Sequence, residues 1–244
     1  MITLKDNTQV KDRRLGRCIE FDEMSRAFPI RTLVADKPPV NKKWDCSQIL
    51  DQGVEGACVG FGLSHELIAA PDEVKGLTNQ TARELYWLVQ HKDPWPGGAY
   101  PDAVPFYEGT SVLSGLKTLV ELGYCDSFHW GFGIDDVLKG VSYEGPAVIG
   151  SFWWKSMYNP TSCCNRISPK GEIAGGHCYI LNEVNWDIEL VGIVNSWGLS
   201  WGDRGRAYIT FKDMEIILKN EGEAAFLIGR HKVPQPKKSK LMEV

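Results

Sequence analysis

The chain has 244 residues, of which 43% are hydrophobic and 24% are charged, and this balance excludes a disordered or fibrous protein. Its net charge of −4 argues against nucleic acid as a partner, because nucleic-acid binders usually present a basic face. Apolar stretches such as Ala147–Trp154 are too short to span a membrane, and residues 1–30 hold no apolar signal core. We therefore expect a cytoplasmic protein with no membrane partner.

The seven cysteines are odd in number and irregularly spaced, which argues for reduced thiols and not for a disulfide framework. They form no Cys-x-x-Cys pair, so we expect neither a structural zinc site nor another bound metal. The chemical role that remains to be considered for a cysteine is that of a nucleophile.

The first segment, residues 1–43, is polar, ends near two consecutive prolines, and is predicted to be an extended arm, not a domain. Its one candidate strand lies at 28–34. The sequence Phe28-Pro29-Ile30 looks exposed and suited to pairing with a neighbouring subunit. Self-association or assembly through the N-terminal arm is therefore one hypothesis for a partner.

A helical lobe is predicted for residues 44–130. Apolar residues at helical spacing predict a helix over 57–70, and a capping-box pattern predicts another over 81–90. A third helix is predicted over 111–122, because its apolar residues share one side and Gly123 follows as a C-terminal stop.

The second half of the chain changes to strand-like spacing. Residues 131–232 are predicted to be a strand-rich lobe and residues 233–244 a basic, flexible tail. The predicted strands lie at 147–154, 177–186, 188–195, 207–211 and 224–229. Helices followed by strands predict an α+β fold, in which the helical lobe packs against a curled antiparallel sheet.

The candidate nucleophile is Cys58. The sequence Gln52-Gly-Val-Glu-Gly-Ala-Cys58 is a glycine-containing loop that leads into the first predicted helix, so Cys58 lies in its first turn. The unpaired backbone N–H groups and the helix dipole there stabilise negative charge, and the pKa of the thiol is expected to be lowered. The same N–H groups can donate to an oxyanion that forms on a substrate carbonyl.

The candidate proton shuttle is His177, since histidine titrates near neutral pH. Of the five histidines, His177 follows two glycines and opens a strong strand, which provides a rigid platform. A further strand ends at Asn195-Ser-Trp-Gly-Leu-Ser-Trp-Gly202, where the Asn195 side chain can accept a hydrogen bond from the imidazole. Trp197 and Trp201 are expected to shield that bond from water.

Three blocks resemble the papain family of cysteine peptidases: Gln-Gly-x-x-Gly-x-Cys at 52–58, Gly-His at 176–177, and Asn-Ser-Trp-Gly-x-x-Trp-Gly at 195–202. The resemblance implies a papain-like fold, with a helical lobe against an antiparallel, β-barrel-like lobe and an active-site cleft between them. It is closest in kind to bacterial or viral intracellular members without a signal peptide or a long propeptide. No metal or organic cofactor is implied, and the implied partner is a polypeptide substrate.

The resemblance also implies catalytic roles. Cys58 would be the nucleophile, His177 its partner base, and Asn195 the residue that orients the imidazole. The Gln52 side-chain amide would complete the oxyanion hole together with the Cys58 backbone N–H.

The resemblance implies a substrate-binding set as well. Gly109-Thr110 looks like the extended segment that pairs with the substrate backbone, and Gly97-Gly98 is a rival for that part. Gly56, Gly176 and Trp197 are the other residues expected to bind substrate. Gly176 stands where the family often has Asp or Asn, so one common substrate contact is missing.

These roles imply an endopeptidase that hydrolyses peptide bonds through a thioester acyl-enzyme. One alternative is amide or isopeptide hydrolysis, or acyl transfer, by the same residues. A second alternative is a papain-like module used for assembly within a larger particle. A pure scaffold is disfavoured, because it has no chemical need for Gln52, Cys58, His177 and Asn195 together.

Overall fold

The computed structural model describes residues 1–234, so most of the tail predicted at 233–244 lies outside the described residues. Within them the fold is α+β, as the sequence predicted. The helices are α1 Glu23–Arg26, α2 Arg31–Val34, α3 Cys58–Ile68, α4 Asn79–Gln90, α5 Val112–Leu122, α6 Ile134–Tyr143 and α7 Phe211–Lys219. The strands are β1 Ile2–Thr3, β2 Gln9–Val10, β3 Arg17–Cys18, β4 Lys42–Lys43, β5 Thr110–Ser111, β6 Cys125–Trp130, β7 Ala147–Trp154, β8 Ile173–Asn185, β9 Leu190–Val194, β10 Arg206–Thr210 and β11 Glu223–Arg230.

The three helices predicted in the first half are present, and their ends follow local capping. α5 begins after Ser111, whose side chain accepts from the Ser114 N–H, and ends at Gly123 in the left-handed region. α4 begins earlier than predicted, because the capping box is formed by Thr78 and Thr81. α3 is buried on all sides, which is typical of a central helix and not of a surface helix with one apolar face.

The large sheet is antiparallel, with the strand order β10-β9-β8-β7-β11-β6 and β4 paired to β8. Its two faces carry separate cores, since side chains alternate along each strand. Val148 and Ile180 pack with α3, α4 and α5, whereas Ile149 and Tyr179 pack with α6 and α7. The sheet therefore lies between two sets of helices.

α3 lies very close to β8. A side chain at Gly62 of α3 would place its Cβ only 2.7 Å from the Cys178 Sγ of β8. Glycine is needed there because any larger residue would push the helix away from the strand. This contact fixes the helix that begins at Cys58 against the strand that carries His177.

The N-terminal arm packs against the rest of the fold, and some of its side chains are buried. β1 pairs with β2, and β3 pairs in parallel with β5. The strand predicted at 28–34 is wrong: Pro29 only bridges to Trp130, and a short helix, α2, follows. Ile30 is fully buried and donates its N–H to the Trp130 carbonyl at 2.7 Å, whereas Phe28 stays 56% exposed. The expectation that Ile30 is exposed is therefore also wrong.

Among the helices of residues 1–234, none combines the length and the apolar character that a membrane span requires.

We predict that Ile30→Ala lowers the free energy of unfolding by about 2–5 kcal/mol, because it removes a buried side chain and leaves a cavity. Phe28→Ala is the control and should cost less than about 1 kcal/mol, because the Phe28 side chain is largely exposed. Denaturant unfolding measures both. Equal losses would show that the arm is not docked as described.

Candidate active site

Cys58 is the first residue of α3, and its side chain is completely buried. Burial raises the pKa of the thiol to about 11, although backbone hydrogen bonds from Gly16, Cys178 and Val59 oppose this. The lowered pKa expected from the sequence is therefore wrong for this form of the protein. The helix dipole favours a thiolate, but the desolvation of the buried sulfur outweighs it.

His177 lies in β8 and Asn195 directly follows β9, and the two side chains are joined. The Nε2 of His177 is 2.8 Å from the Asn195 Oδ1, which also accepts from the Ser196 N–H. Because Oδ1 can only accept, Nε2 must carry the proton, and Nδ1 of the neutral ring is the acceptor. Nδ1 has no hydrogen-bond partner among the described residues. A neutral imidazole with its proton on the Asn side suits a general base.

The pKa of His177 is lowered to about 4, mainly because the ring is buried. The hydrogen bond to Asn195 raises the pKa, and the charge of Arg14 lowers it. At neutral pH the imidazole and the Cys58 thiol are thus both uncharged in this form of the protein.

Aromatic rings enclose the imidazole. The Trp197 ring centroid lies 5.0 Å from that of His177, as the sequence suggested, and the Trp153 centroid lies 4.8 Å away. Trp201 contacts both tryptophans. Trp153 was not identified from the sequence, because it lies in another strand and carries no motif. Together the rings keep water from the bond between His177 and Asn195.

The Gln52 side chain is held in one orientation by its neighbours. Its Oε1 accepts from the Ser196 Oγ at 2.6 Å, so its amide NH₂ must point the other way. The Nε2 donates to the Glu55 carbonyl at 2.7 Å and to the Arg14 carbonyl at 3.1 Å. Ser196, which was not singled out from the sequence, thus fixes the donor that the family resemblance assigned to an oxyanion hole.

Arm residues 14–18 pass through the site. The Gly16 carbonyl accepts from the Thr110 N–H at 3.0 Å, and a Cβ on Gly16 would lie 2.0 Å from the Gly56 oxygen. On the other side, a Cβ on Gly176 would lie 2.3 Å from the Arg17 carbonyl. Only glycines allow the arm and the two walls to approach this closely.

Every residue assigned to substrate binding from the sequence touches this part of the arm. Gly56, Gly109, Thr110 and Gly176 pack on its backbone, and the Arg14 guanidinium lies 4.2 Å from the Trp197 ring centroid. The rival pair Gly97-Gly98 instead contacts its own loop, at Pro105 and Tyr100.

The same short stretch of the arm, Arg14 to Gly16, approaches both Cys58 and His177. The Gly16 backbone is close enough to the Cys58 thiol to lower its pKa, and the Arg14 backbone is close enough to His177 to raise the pKa of the imidazole. Gln52 donates to the Arg14 carbonyl between them. Hydrogen bonds thus join His177, Asn195, Ser196 and Gln52, and arm residues Arg14 and Gly16 link this group to Cys58.

The described residues hold no group of three or more His, Cys, Asp and Glu side chains arranged for a metal ion. No disulfide joins the seven cysteines, all of which lie in the part of the chain that the structure describes.

Solved structures similar to this one are cysteine proteases or their precursors. Xylellain, a cysteine protease from Xylella fastidiosa, has a TM-score of 0.65 and 16% identity, covering 91% of this chain and 98% of that one. Procathepsin B S9 from Trypanosoma congolense has a TM-score of 0.62 and 13% identity, covering 92% and 87%. Procathepsin L 3 from the Tenebrio molitor larval midgut has a TM-score of 0.55 and 11% identity, covering 93% and 77%.

No protein-family model and no curated protein matches the chain. The likeness to solved structures is therefore one of fold. The chain has a papain-like fold, as the three sequence blocks indicated.

We predict that burial of neutral His177 makes the protein less stable as the pH falls. The pKa of His177 in the folded state is about 4, below its ordinary value of 6.5, so only the unfolded chain gains a proton between these values. This one group should cost about 2.5 kcal/mol of unfolding free energy between pH 7 and pH 4.5. Denaturant unfolding of the native protein and of His177→Gln, at both pH values, isolates the difference.

His65, whose pKa burial lowers to about 3, contributes equally to both proteins and cancels in the comparison. His91→Gln is the control, because His91 is exposed. The same pH dependence in the native protein and in His177→Gln would contradict the assignment of a buried neutral imidazole.

Proposed function

We propose that the protein is a papain-like cysteine peptidase, in which Cys58 is the nucleophile and His177 the base. The observation that carries this proposal is the His177–Asn195 hydrogen bond, which places the imidazole proton on Nε2 and leaves Nδ1 as the acceptor that a base needs. The fold supports it, because the similar solved structures are cysteine proteases or their precursors.

In the proposed reaction, Nδ1 of His177 takes the proton of the Cys58 thiol as the sulfur attacks a peptide carbonyl. The oxyanion accepts hydrogen bonds from the Gln52 Nε2 and the Cys58 N–H. His177 then protonates the leaving amine, which departs and leaves a thioester. Water, deprotonated by His177, hydrolyses the thioester and restores the thiol.

The described form is inactive in this proposal, because the arm occupies the place of a substrate. The Arg14 carbonyl accepts the Gln52 Nε2 hydrogen bond that the oxyanion would need. The arm also buries Cys58 and His177, and burial keeps both groups neutral. Displacement of residues 14–18 would readmit water and a substrate, and would lower the cost of forming the thiolate–imidazolium pair.

We predict that Gly16→Val exposes the nucleophile. Any Cβ at this position collides with the Gly56 carbonyl, so the arm must leave its present place. Labelling of Cys58 by an epoxysuccinyl thiol-protease inhibitor, located by mass spectrometry, should become about tenfold faster or more. Lys11→Val is the matched control, because Lys11 is an exposed arm residue and its substitution should leave the rate unchanged.

The double variant Gly16→Val/His177→Ala should lose the selective labelling, since the thiol then lacks its base. Labelling spread evenly over the seven cysteines of Gly16→Val would indicate general unfolding and contradict the proposal. A peptide library then tests the reaction class. Cleaved peptide bonds support a peptidase, whereas ammonia release or cross-linked amines would favour amide hydrolysis or acyl transfer.

A further inference from the structure

Two exposed cysteines lie side by side in a turn between β7 and β8. Cys163 and Cys164 are the two exposed thiols of the chain, and the other five cysteines are buried. Their Sγ atoms are 3.2 Å apart. Consecutive residues of a strand would point to opposite faces, so this close approach requires a turn. The two thiols therefore form a neighbouring pair that solvent can reach.

The turn is closed by hydrogen bonds on both sides of the pair. The Thr161 N–H donates to the Arg166 carbonyl at 2.9 Å, and the Arg166 N–H donates to the Thr161 Oγ1 at 3.0 Å. Asn165 has a φ of 50°, in the left-handed region that asparagine tolerates, and its N–H donates to the Thr161 carbonyl at 2.8 Å. The turn thus holds the two sulfurs close together through its own hydrogen bonds.

The two thiols have different surroundings, and this gives them different roles. The Thr161 Oγ1 is 3.2 Å from the Cys164 Sγ. Because this oxygen accepts from the Arg166 N–H, its own O–H is free to donate to the sulfur. The pKa of the Cys164 thiol is lowered, first by this hydrogen bond and next by the one from Cys163. Cys164 is therefore the better thiolate, and Cys163 is the thiol within its reach.

We propose that Cys163 and Cys164 form a redox site, in which a low-molecular-weight disulfide oxidises the pair to a Cys163–Cys164 disulfide. The Cys164 thiolate attacks one sulfur of the reagent, and the other half of the reagent leaves as a thiolate and takes up a proton. The Cys163 thiol then loses its proton and attacks the Cys164 sulfur, and the second half leaves in the same way. The pair loses two electrons and two protons in all, and the reagent gains them as two thiols.

The geometry of neighbouring cysteines makes this oxidation reversible. Consecutive Cα atoms lie about 3.8 Å apart, closer than in ordinary disulfides, so a bond between neighbours is strained. Strained and exposed disulfides are reduced more easily than structural ones and are typical of regulatory sites. The sulfurs, now 3.2 Å apart, must approach to about 2.0 Å, which an exposed turn allows more readily than a packed core. The pair is thus suited to responding to the thiol–disulfide balance of its surroundings.

The pair is separate from the proposed nucleophile. Cys58 is completely buried, and burial raises the pKa of its thiol to about 11. Susceptibility of a thiol to oxidation follows its exposure and its thiolate fraction, and both favour Cys164 over Cys58. A reagent in solution therefore reacts at the turn first.

The test is oxidation of the reduced native protein by glutathione disulfide, followed by alkylation under denaturing conditions and peptide mass mapping. The peptide that holds residues 163–164 should lose the mass of two hydrogens and take up no alkyl group, and dithiothreitol should reverse this. Cys163→Ser should stop at a glutathione adduct on Cys164, because the second attacking thiol is missing. Cys164→Ser should form its adduct at no more than about a third of that rate, because Cys163 lacks the Thr161 hydrogen bond.

Ser162→Ala is the matched control, because Ser162 is an exposed residue of the same turn and its substitution leaves both thiols in place. Cys58→Ala should also be oxidised as the native protein is, which separates this site from the proposed peptidase function. A glutathione adduct that persists on residues 163–164 of the native protein, a disulfide that joins other cysteines instead, or the absence of any oxidation would overturn the inference. Each of these results would leave the peptidase proposal standing.

Discussion

The close passage of the N-terminal arm between two glycine-lined walls is the constraint on which the site depends. Gly16 lies against Gly56 on the helical side, and the Arg17 backbone lies against Gly176 on the sheet side. This passage removes water from Cys58 and His177 together. Desolvation then outweighs both the helix dipole at the thiol and the Asn195 hydrogen bond at the imidazole, and the two groups remain neutral. The same contact that closes the cleft thus sets its protonation state.

Helix α3 and strands β8 and β9 position the groups of the site. α3 is fixed to β8 by the contact at Gly62, and the consecutive residues Asn195 and Ser196 serve the two halves of the site. Asn195 orients the imidazole, while Ser196 orients the Gln52 amide. One turn after β9 therefore positions both the His177 imidazole and the Gln52 amide.

Local signals allowed much of the fold and the site to be predicted from the sequence. Ser111 and Gly123 mark α5, and the strand at Ala147–Trp154 has the predicted ends. α6 and α7 were missed because short amphipathic helices between strands carry weak signals, and β6 because its polar residues hide its alternation. The arm contacts were beyond reach: Arg17 meets Glu223 only through the tertiary fold, and the raised pKa of Cys58 depends on how deeply the folded chain buries the thiol.

The pairing of thiol and imidazole is tested most directly by the pH dependence of Cys58 alkylation, measured with iodoacetamide in Gly16→Val and in Gly16→Val/His177→Ala. With His177 present, the rate should reach its plateau well below the ordinary thiol pKa of about 8.5, because the imidazolium stabilises the thiolate. Without His177, the rate should rise only near that ordinary value or above it. Superimposable profiles for the two proteins would contradict the account.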